Sequence, residues 1–82
     1  MFINKTSEGF CNICGKKIAL VRKQTGISQR ILAERMQLFG IDIDKNAIQR
    51  IECGKRFVTD IEIVVFSKVL NVTLNELLLS EN

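Results

Sequence analysis

The sequence contains no histidine, proline, tryptophan or tyrosine, and it has only five glycines and three cysteines. Without histidine, the chain lacks the commonest general acid or base and the most usual metal ligand. The absence of proline and the scarcity of glycine argue against a β-sandwich or barrel, whose strands are joined by tight turns. Three cysteines allow at most one intrachain disulfide, which excludes a disulfide-stapled scaffold. We therefore expect a small, mostly helical domain that is not an enzyme and needs no cofactor.

Long hydrophobic runs are also missing. The longest unbroken apolar runs are four residues, 18–21 and 63–66, whereas a membrane helix needs about 20. The N-terminus turns polar at Asn4 and Lys5, before the apolar core of a signal peptide could form. We expect a cytoplasmic protein with no membrane partner.

Positive charge is concentrated in one part of the chain. The net charge is +3, but residues 15–56 carry +6 and residues 57–82 carry −3. Such a layout would turn a basic side toward a polyanion. Solvated helix faces would account for the charge equally well, so charge alone does not decide between these two interpretations.

Capping residues predict five helices. The first runs from Gly15 to Thr25-Gly26, the second from the Ser28 cap through Gln29 to about Leu38, and the third from Asp44 to Gly54. Two threonines, each followed three residues later by glutamate, predict reciprocal capping boxes for the last two helices, Thr59 with Glu62 and Thr73 with Glu76. Residues 1–14 are expected to form a loosely attached N-terminal tail, and residues 15–82 the domain.

Apolar residues at helical spacing predict the inward face of each helix. These faces are Ile18, Ala19 and Val21; Leu32, Ala33 and Met36; Ala47, Ile48 and Ile51; Ile63, Phe66, Ser67 and Leu70; and Leu74, Leu77 and Leu78.

Several polar residues of the second and third helices lie off these apolar faces: Arg30, Gln37, Lys45, Asn46, Gln49 and Arg50. Arginine and lysine suit guanine in the DNA major groove, and asparagine and glutamine suit adenine. The start of the second helix, at Ser28 and Gln29, offers free N–H groups and a positive dipole end to a phosphate. Any single one of these residues would fit an ordinary exposed helix equally well.

The pattern along the chain resembles the Cro/phage-repressor type of helix-turn-helix regulator, the Xre family. The resemblance is carried by Ile18 to Gln29, Leu32-Ala33-Glu34, and Ala47 to Lys55, and by the stretch from Leu70 to Leu78. It covers about residues 15–79. It implies an all-α, compact, five-helix domain of the lambda-repressor type that binds double-stranded DNA and regulates transcription, acting as a repressor.

The resemblance also implies a set of contacts, position by position. Gln29 and Arg30 would touch phosphate or the groove edge, and Lys55 and Arg56 would grip the backbone. Lys45, Asn46 and Gln49 fall on the base-reading positions, with Arg50 close behind. Arg22 and Glu52 would form a structural ion pair.

The connection between the second and third helices departs from the family pattern. The stretch from Leu32 to Glu52 is about five residues longer than in the compact pattern, which indicates a sub-type with a lengthened second helix or turn. We expect the apolar residues of this extension to pack it down: Leu38, Phe39, Ile41 and Ile43.

Two alternatives stay open at this stage. A helical protein-interaction module, antitoxin-like or a repressor partner, would fit the apolar surplus on the last two helices, which also suggests a homodimer: Phe57, Val64, Val65, Val69 and Leu79. Cys11 and Cys14 have the spacing of half a zinc knuckle, but a closed site needs four ligands and only Cys53 remains. We expect the cysteines to be structural. With one domain only, we expect no small-molecule effector.

Overall fold

Five α-helices follow one another along the chain in the computed structural model, which describes residues 4–79. They are α1 (Gly15–Thr25), α2 (Gln29–Leu38), α3 (Lys45–Glu52), α4 (Asp60–Leu70) and α5 (Leu74–Leu78). The described residues contain no β-strand. The ends of the predicted tail and domain, residues 1–3 and 80–82, lie outside the described residues. No helix in the described part of the chain is long and apolar enough to span a bilayer.

Side-chain caps begin four of the five helices where the sequence predicts them. Ser28, Asp44, Thr59 and Thr73 each accept a hydrogen bond from the backbone N–H three residues ahead. Such a bond satisfies one of the N–H groups that have no partner inside the helix. Residues 61–65, which include three β-branched side chains in addition to Ile61, lie within α4.

Only one of the two predicted capping boxes is reciprocal. At α4, the Glu62 side chain also accepts from the Thr59 N–H, at 3.0 Å. At α5, the Thr73 hydroxyl instead donates to the Glu76 carboxylate, at 3.3 Å. The prediction of a second reciprocal box was therefore wrong, because the Glu76 side chain does not accept from the Thr73 backbone N–H.

The hydrophobic core lies between all five helices and is formed mainly by the predicted inward faces. Ile18, Leu32, Met36, Ile48, Ile51 and Phe66 are fully buried, and Ile43 and Leu77 are 2% exposed. Four predicted core residues lie further out: Ala19, Ser67 and Leu78 are half-buried, and Leu74 is exposed. Burying an aliphatic or phenylalanine side chain contributes about 1.5–3 kcal/mol, so these central residues hold the helices together.

The connection between α2 and α3, residues 39–44, packs down only in its second half. Ile43 is buried, Ile41 packs against the core, and the Gln37 amide donates to the Ile43 carbonyl at 2.9 Å. Leu38 and Phe39, which were also expected to pack, are 86% and 54% exposed. Both lie at the end of α2, before the chain turns back to the core.

Within the predicted N-terminal tail, residues 6–12 are hydrogen-bonded to one another and to the domain. A tight turn closes this segment, because the Phe10 N–H donates to the Thr6 hydroxyl and the Thr6 N–H donates to the Phe10 carbonyl. Residues 10–12 then lie against the loop that follows α3. These are contacts across about 40 positions of sequence, which helical periodicity does not reveal.

Candidate nucleic-acid interface

The outward face of α3 carries four polar residues side by side. Lys45, Asn46, Gln49 and Arg50 are all exposed, while Ala47, Ile48 and Ile51 are buried on the opposite side. At 3.6 residues per turn, the four fall within an arc of about 140° around the helix. Within residues 4–79, their side chains make no hydrogen bond or ion pair, so their donors and acceptors all face solvent.

The start of α3 is fixed by its cap. Asp44 is the N-cap residue, and its carboxylate accepts from the Ala47 N–H at 2.8 Å. This use of Asp44 keeps its negative charge at the positive end of the helix dipole. Lys45 follows directly and projects beside the N-terminus of α2.

An open groove of about 580 Å³ lies where the N-termini of α2 and α3 come together. It is lined by Arg22, Ser28, Gln29, Arg30 and Lys45. The first N–H groups of α2 point toward this end of the helix, with one of them already bonded to the Ser28 hydroxyl at 3.1 Å. Unpaired N–H groups together with lysine and arginine side chains make such a site suitable for a phosphate.

Arg22, Gln29 and Glu52 form a polar network behind this groove. The Arg22 guanidinium donates to both oxygens of Glu52, at 2.7 and 3.1 Å, and also to the Ile27 carbonyl at 2.9 Å. The Gln29 amide donates to Glu52 Oε1 at 2.9 Å. The network ties α1 and the N-terminus of α2 to the last residue of α3. The bond from Gln29 has no local signal in the sequence.

Arg30 is an exposed cation at the groove. Its guanidinium lies 3.8 Å from the Glu34 carboxylate, one helical turn along α2. The two side chains are 71% and 54% exposed. Such an exposed pair contributes little to stability, so Arg30 can leave Glu34 for another anion at small cost.

The two cations after α3 differ in their surroundings. Lys55 is exposed, and its side chain has no partner within residues 4–79. Arg56 is engaged: its guanidinium donates to both carboxylate oxygens of Glu62, each at 3.1 Å. The resemblance implies that both residues contact the DNA backbone. Of the two, only Lys55 has a side chain without a partner in the described residues.

The ion pair of Arg56 with Glu62 changes the acidity of both groups. Partial burial acts to raise the pKa of Glu62, but the hydrogen bonds from Arg56 and Thr59 outweigh it, and the pKa is lowered from its ordinary value of 4.5. The hydrogen bond to Glu62 in turn raises the pKa of Arg56. Glu62 therefore serves the α4 cap and the loop after α3 at the same time.

The three cysteines lie in three different environments. Cys14 is buried at the N-cap of α1, and this burial raises the pKa of its thiol to about 11. Cys11 is half-buried, and Cys53 is exposed at the C-cap of α3. Among residues 4–79, no three cysteine or carboxylate side chains come close enough to hold a metal ion. A thiol that stays protonated at neutral pH is a poor metal ligand or nucleophile.

Comparison with solved structures places this fold. The chain is similar to the restriction-modification controller protein C.AhdI from Aeromonas hydrophila, known from a high-resolution crystal structure. The two share 25% sequence identity and superpose with a TM-score of 0.67, over 77% of this chain and 84% of that one. The chain therefore shares its fold with a controller protein of the Cro/phage-repressor helix-turn-helix type. No protein-family model and no curated protein sequence matches the chain.

The five helices and their similarity to the solved structure confirm the predicted all-α, five-helix fold. In this fold, α2 and α3 form the helix-turn-helix unit. Residues 39–44 join its two helices, whereas the turn of a helix-turn-helix commonly has three or four residues. The extra length lies in the connection, and α2 itself ends at Leu38 as predicted. The domain thus keeps the family fold with a longer turn.

Proposed function

We propose that this chain binds double-stranded DNA in a sequence-specific manner, with α3 in the major groove, and thereby regulates transcription. The observation that carries the proposal is the outward face of α3. Its four side chains, Lys45, Asn46, Gln49 and Arg50, have the chemistry of base readout and no internal partners within residues 4–79. C.AhdI, to which the chain is similar, is a controller protein of a restriction-modification system.

The groove between α2 and α3 supplies the backbone contact on one side of the recognition helix. In the proposed complex, a phosphate lies over the N-terminus of α2, held by its N–H groups and by Arg30. Gln29 contributes through its backbone N–H and through the second N–H of its side-chain amide, since the first N–H donates to Glu52. Acting at a promoter, such a domain would repress by occupying the DNA.

The loop after α3 supplies the backbone contact on the other side. We assign this contact to Lys55, whose side chain is exposed and without a partner in the described part of the chain. Arg56 would have to leave Glu62, to which it makes two hydrogen bonds, before it could grip a phosphate. Its contribution is therefore to hold the loop against α4, with a direct phosphate contact only after rearrangement.

Self-association is favoured by apolar residues on α4, on α5 and on the loop before α4. Phe57, Ile61, Val64, Leu74 and Leu79 are exposed by 39 to 70%. Val65, expected on this surface, is 8% exposed and belongs to the core, and Val69 packs against the core. A homodimer would present two recognition helices to half-sites about one helical turn of DNA apart. A protein-interaction module that does not bind DNA is the second candidate function.

Selection from a random duplex pool tests the proposed function. An enriched sequence motif is expected, and affinity for it should fall steeply as salt rises, because each neutralised phosphate releases counterions. Repeating the selection with Gln49→Ala should relax one position of the motif while leaving the others. No enrichment above the starting pool, together with binding that does not respond to salt, would exclude DNA and leave the interaction module.

A further inference from the structure

The loop after α3 is held from outside the helix-turn-helix unit. Three backbone carbonyls, one in the last turn of α3 and two in the loop, accept hydrogen bonds from two adjacent residues of the N-terminal segment. The Cys11 N–H donates to Gly54 at 2.8 Å, and the Asn12 amide donates to Ile51 at 3.1 Å and to Arg56 at 2.8 Å. Carbonyls near a helix C-terminus lack partners within the helix, and here one side chain serves both ends of the loop.

Both N–H donors of the Asn12 amide and its oxygen are engaged in hydrogen bonds to the domain. While its nitrogen donates to the two loop carbonyls, its oxygen accepts from the Gly15 N–H at 2.7 Å, in the first turn of α1. The amide therefore joins the start of α1 to both sides of residues 52–55. An aspartate at this position would lack the donors, and a leucine of similar shape would lack both donor and acceptor.

Two glycines allow this close approach. A Cβ atom on Gly15 would collide with the Ile51 carbonyl, and a Cβ atom on Gly54 would lie 2.5 Å from the Phe10 ring. Gly54 also has a φ of 76°, which favours glycine. The N-terminal segment thus packs directly against the loop backbone, and a side chain at Gly54 would not fit between them.

These contacts affect Lys55, because Lys55 lies in the sequence between Ile51 and Arg56, the two residues whose carbonyls bond to Asn12. The Lys55 N–H donates to the Arg50 carbonyl at 2.8 Å, which anchors the residue to the last turn of α3. The carbonyls of Ile51, Gly54 and Arg56 bond to the N-terminal segment, and the Lys55 side chain is exposed to solvent. We propose that Asn12 is a positioning residue that fixes the loop so that Lys55 meets a DNA phosphate.

This inference rests on the proposed function, in which Lys55 contacts the DNA backbone. Preorganisation matters here because a lysine on a mobile loop loses conformational freedom when it binds a phosphate. Holding the loop in advance removes part of that loss. Asn12 itself does not touch DNA, so its effect should disappear when Lys55 is absent.

A double-mutant cycle tests the coupling. Affinity for the best duplex is measured for wild type, Asn12→Ala, Lys55→Ala and the double variant. We expect the double variant to bind no more weakly than Lys55→Ala alone. We also expect Asn12→Ala to lower the slope of log affinity against log salt concentration by up to about one, the value for one lost phosphate contact. The matched control crosses Asn12→Ala with Arg30→Ala at the other backbone contact, where the fold-losses should multiply. Losses that multiply with Lys55→Ala as well would overturn the proposal, since Asn12 would then act on the fold in general.

Hydrogen exchange on the free protein separates this inference from the proposed function. Asn12→Ala should speed exchange of the Lys55 amide about tenfold or more, as the loss of one or two hydrogen bonds would give. The amides of Ile48 and Ile51, in the buried part of α3, should be unchanged. Unchanged exchange at Lys55 overturns the positioning role whether or not the protein binds DNA. If Asn12→Ala fails to fold, Asn12→Asp, which keeps the acceptor for Gly15, takes its place in both experiments.

Discussion

Arg22 of α1 and Glu52 at the end of α3 form a two-pronged ion pair, with 2.7 Å between Arg22 Nε and Glu52 Oε2. Their side chains are only 10% and 7% exposed, so both charges are largely removed from water. The resemblance to Cro/phage-repressor regulators implies this pair. The structure adds the Gln29 amide, which bonds to the same carboxylate at 2.9 Å. The C-terminus of α3 is therefore anchored to the two helices that precede it.

Breaking this pair should be costly. Glu52→Ala leaves the Arg22 charge in a nearly buried site without its partner, which costs about 3–5 kcal/mol in other proteins. For a domain stabilised by about 5–15 kcal/mol, this is a large fraction of the free energy of unfolding. Urea unfolding of wild type and Glu52→Ala measures this change in the free energy of unfolding. Glu34→Ala, which removes the exposed partner of Arg30, is the control and should cost under about 0.5 kcal/mol. Equal costs for the two variants would contradict the buried role of the pair.

Acid should weaken the domain through Glu62. Its pKa is below the ordinary value of 4.5 in the folded protein, so its carboxylate stabilises the fold fully above pH 4.5. That contribution is lost as the pH falls from 4.5 through the folded pKa. Glu62→Gln should therefore lower the free energy of unfolding at neutral pH and flatten its decline in acid. Unfolding midpoints measured across this range check the prediction.

Arg56→Gln provides the matched test for the origin of this effect. The Arg56 guanidinium donates both of the side-chain bonds that Glu62 receives from the loop. Its removal should flatten the same part of the stability curve. A Glu62→Gln curve that runs parallel to wild type below pH 4.5 would show that the pair does not set the acid sensitivity.

The sequence was sufficient to predict the helices and most of the core, because both depend on short-range patterns. Ser28, Asp44 and Thr59 are capping residues placed immediately before apolar residues at helical spacing. A cap acts within three residues and an amphipathic face repeats every three or four, so both can be recognised in a single sequence. The outward face of α3 follows from the same spacing, once Ala47 and its apolar neighbours are assigned inward.

The contacts that were not predicted are long-range or depend on competition between partners. Asn12 meets Arg56 across 44 positions, and no periodicity connects a polar residue in a short segment to a loop. Arg56 has the charge expected of a phosphate contact, but Glu62 is nearer than any phosphate in the free protein. Leu38 and Phe39 are apolar yet exposed, whereas Ile41 and Ile43 of the same connection pack against the core.

Base readout should separate from backbone contact by mutation. Asn46→Ala and Gln49→Ala remove side chains suited to adenine, and each should lose discrimination of about 1–3 kcal/mol at one base pair. Lys55→Ala should weaken binding to all sequences alike and lower the salt slope by about one. Quantitative binding to a panel of single-base variants of the selected site distinguishes the two patterns. Neutral Asn46 and Gln49 variants on the best site would contradict the assignment of α3 as the recognition helix.

Thiol modification should report on the DNA-facing side of α3. Cys53 is exposed and continues the helical path one turn beyond Gln49, on the same outward face. A saturating amount of specific duplex should therefore slow the alkylation of Cys53 by iodoacetamide. Mass spectrometry measures the rate of this alkylation. Cys11, on the N-terminal segment, is the internal control and should be unaffected by the duplex. Cys14, with its pKa raised to about 11 by burial, should react only after unfolding. Equal Cys53 rates with and without DNA would place α3 away from the duplex.

Self-association should depend on the apolar surface of α4. Ile61 and Val64 are 66% and 39% exposed and lie three residues apart, so they share one face of the helix. A charge there would be desolvated in a dimer, so Ile61→Glu should shift the protein to monomer in sedimentation at high micromolar concentration. Leu38→Glu is the control: Leu38 is 86% exposed at the end of α2, outside the apolar surface of α4, and its substitution should leave assembly unchanged. A wild-type protein that stays monomeric both with and without DNA would refute the dimer.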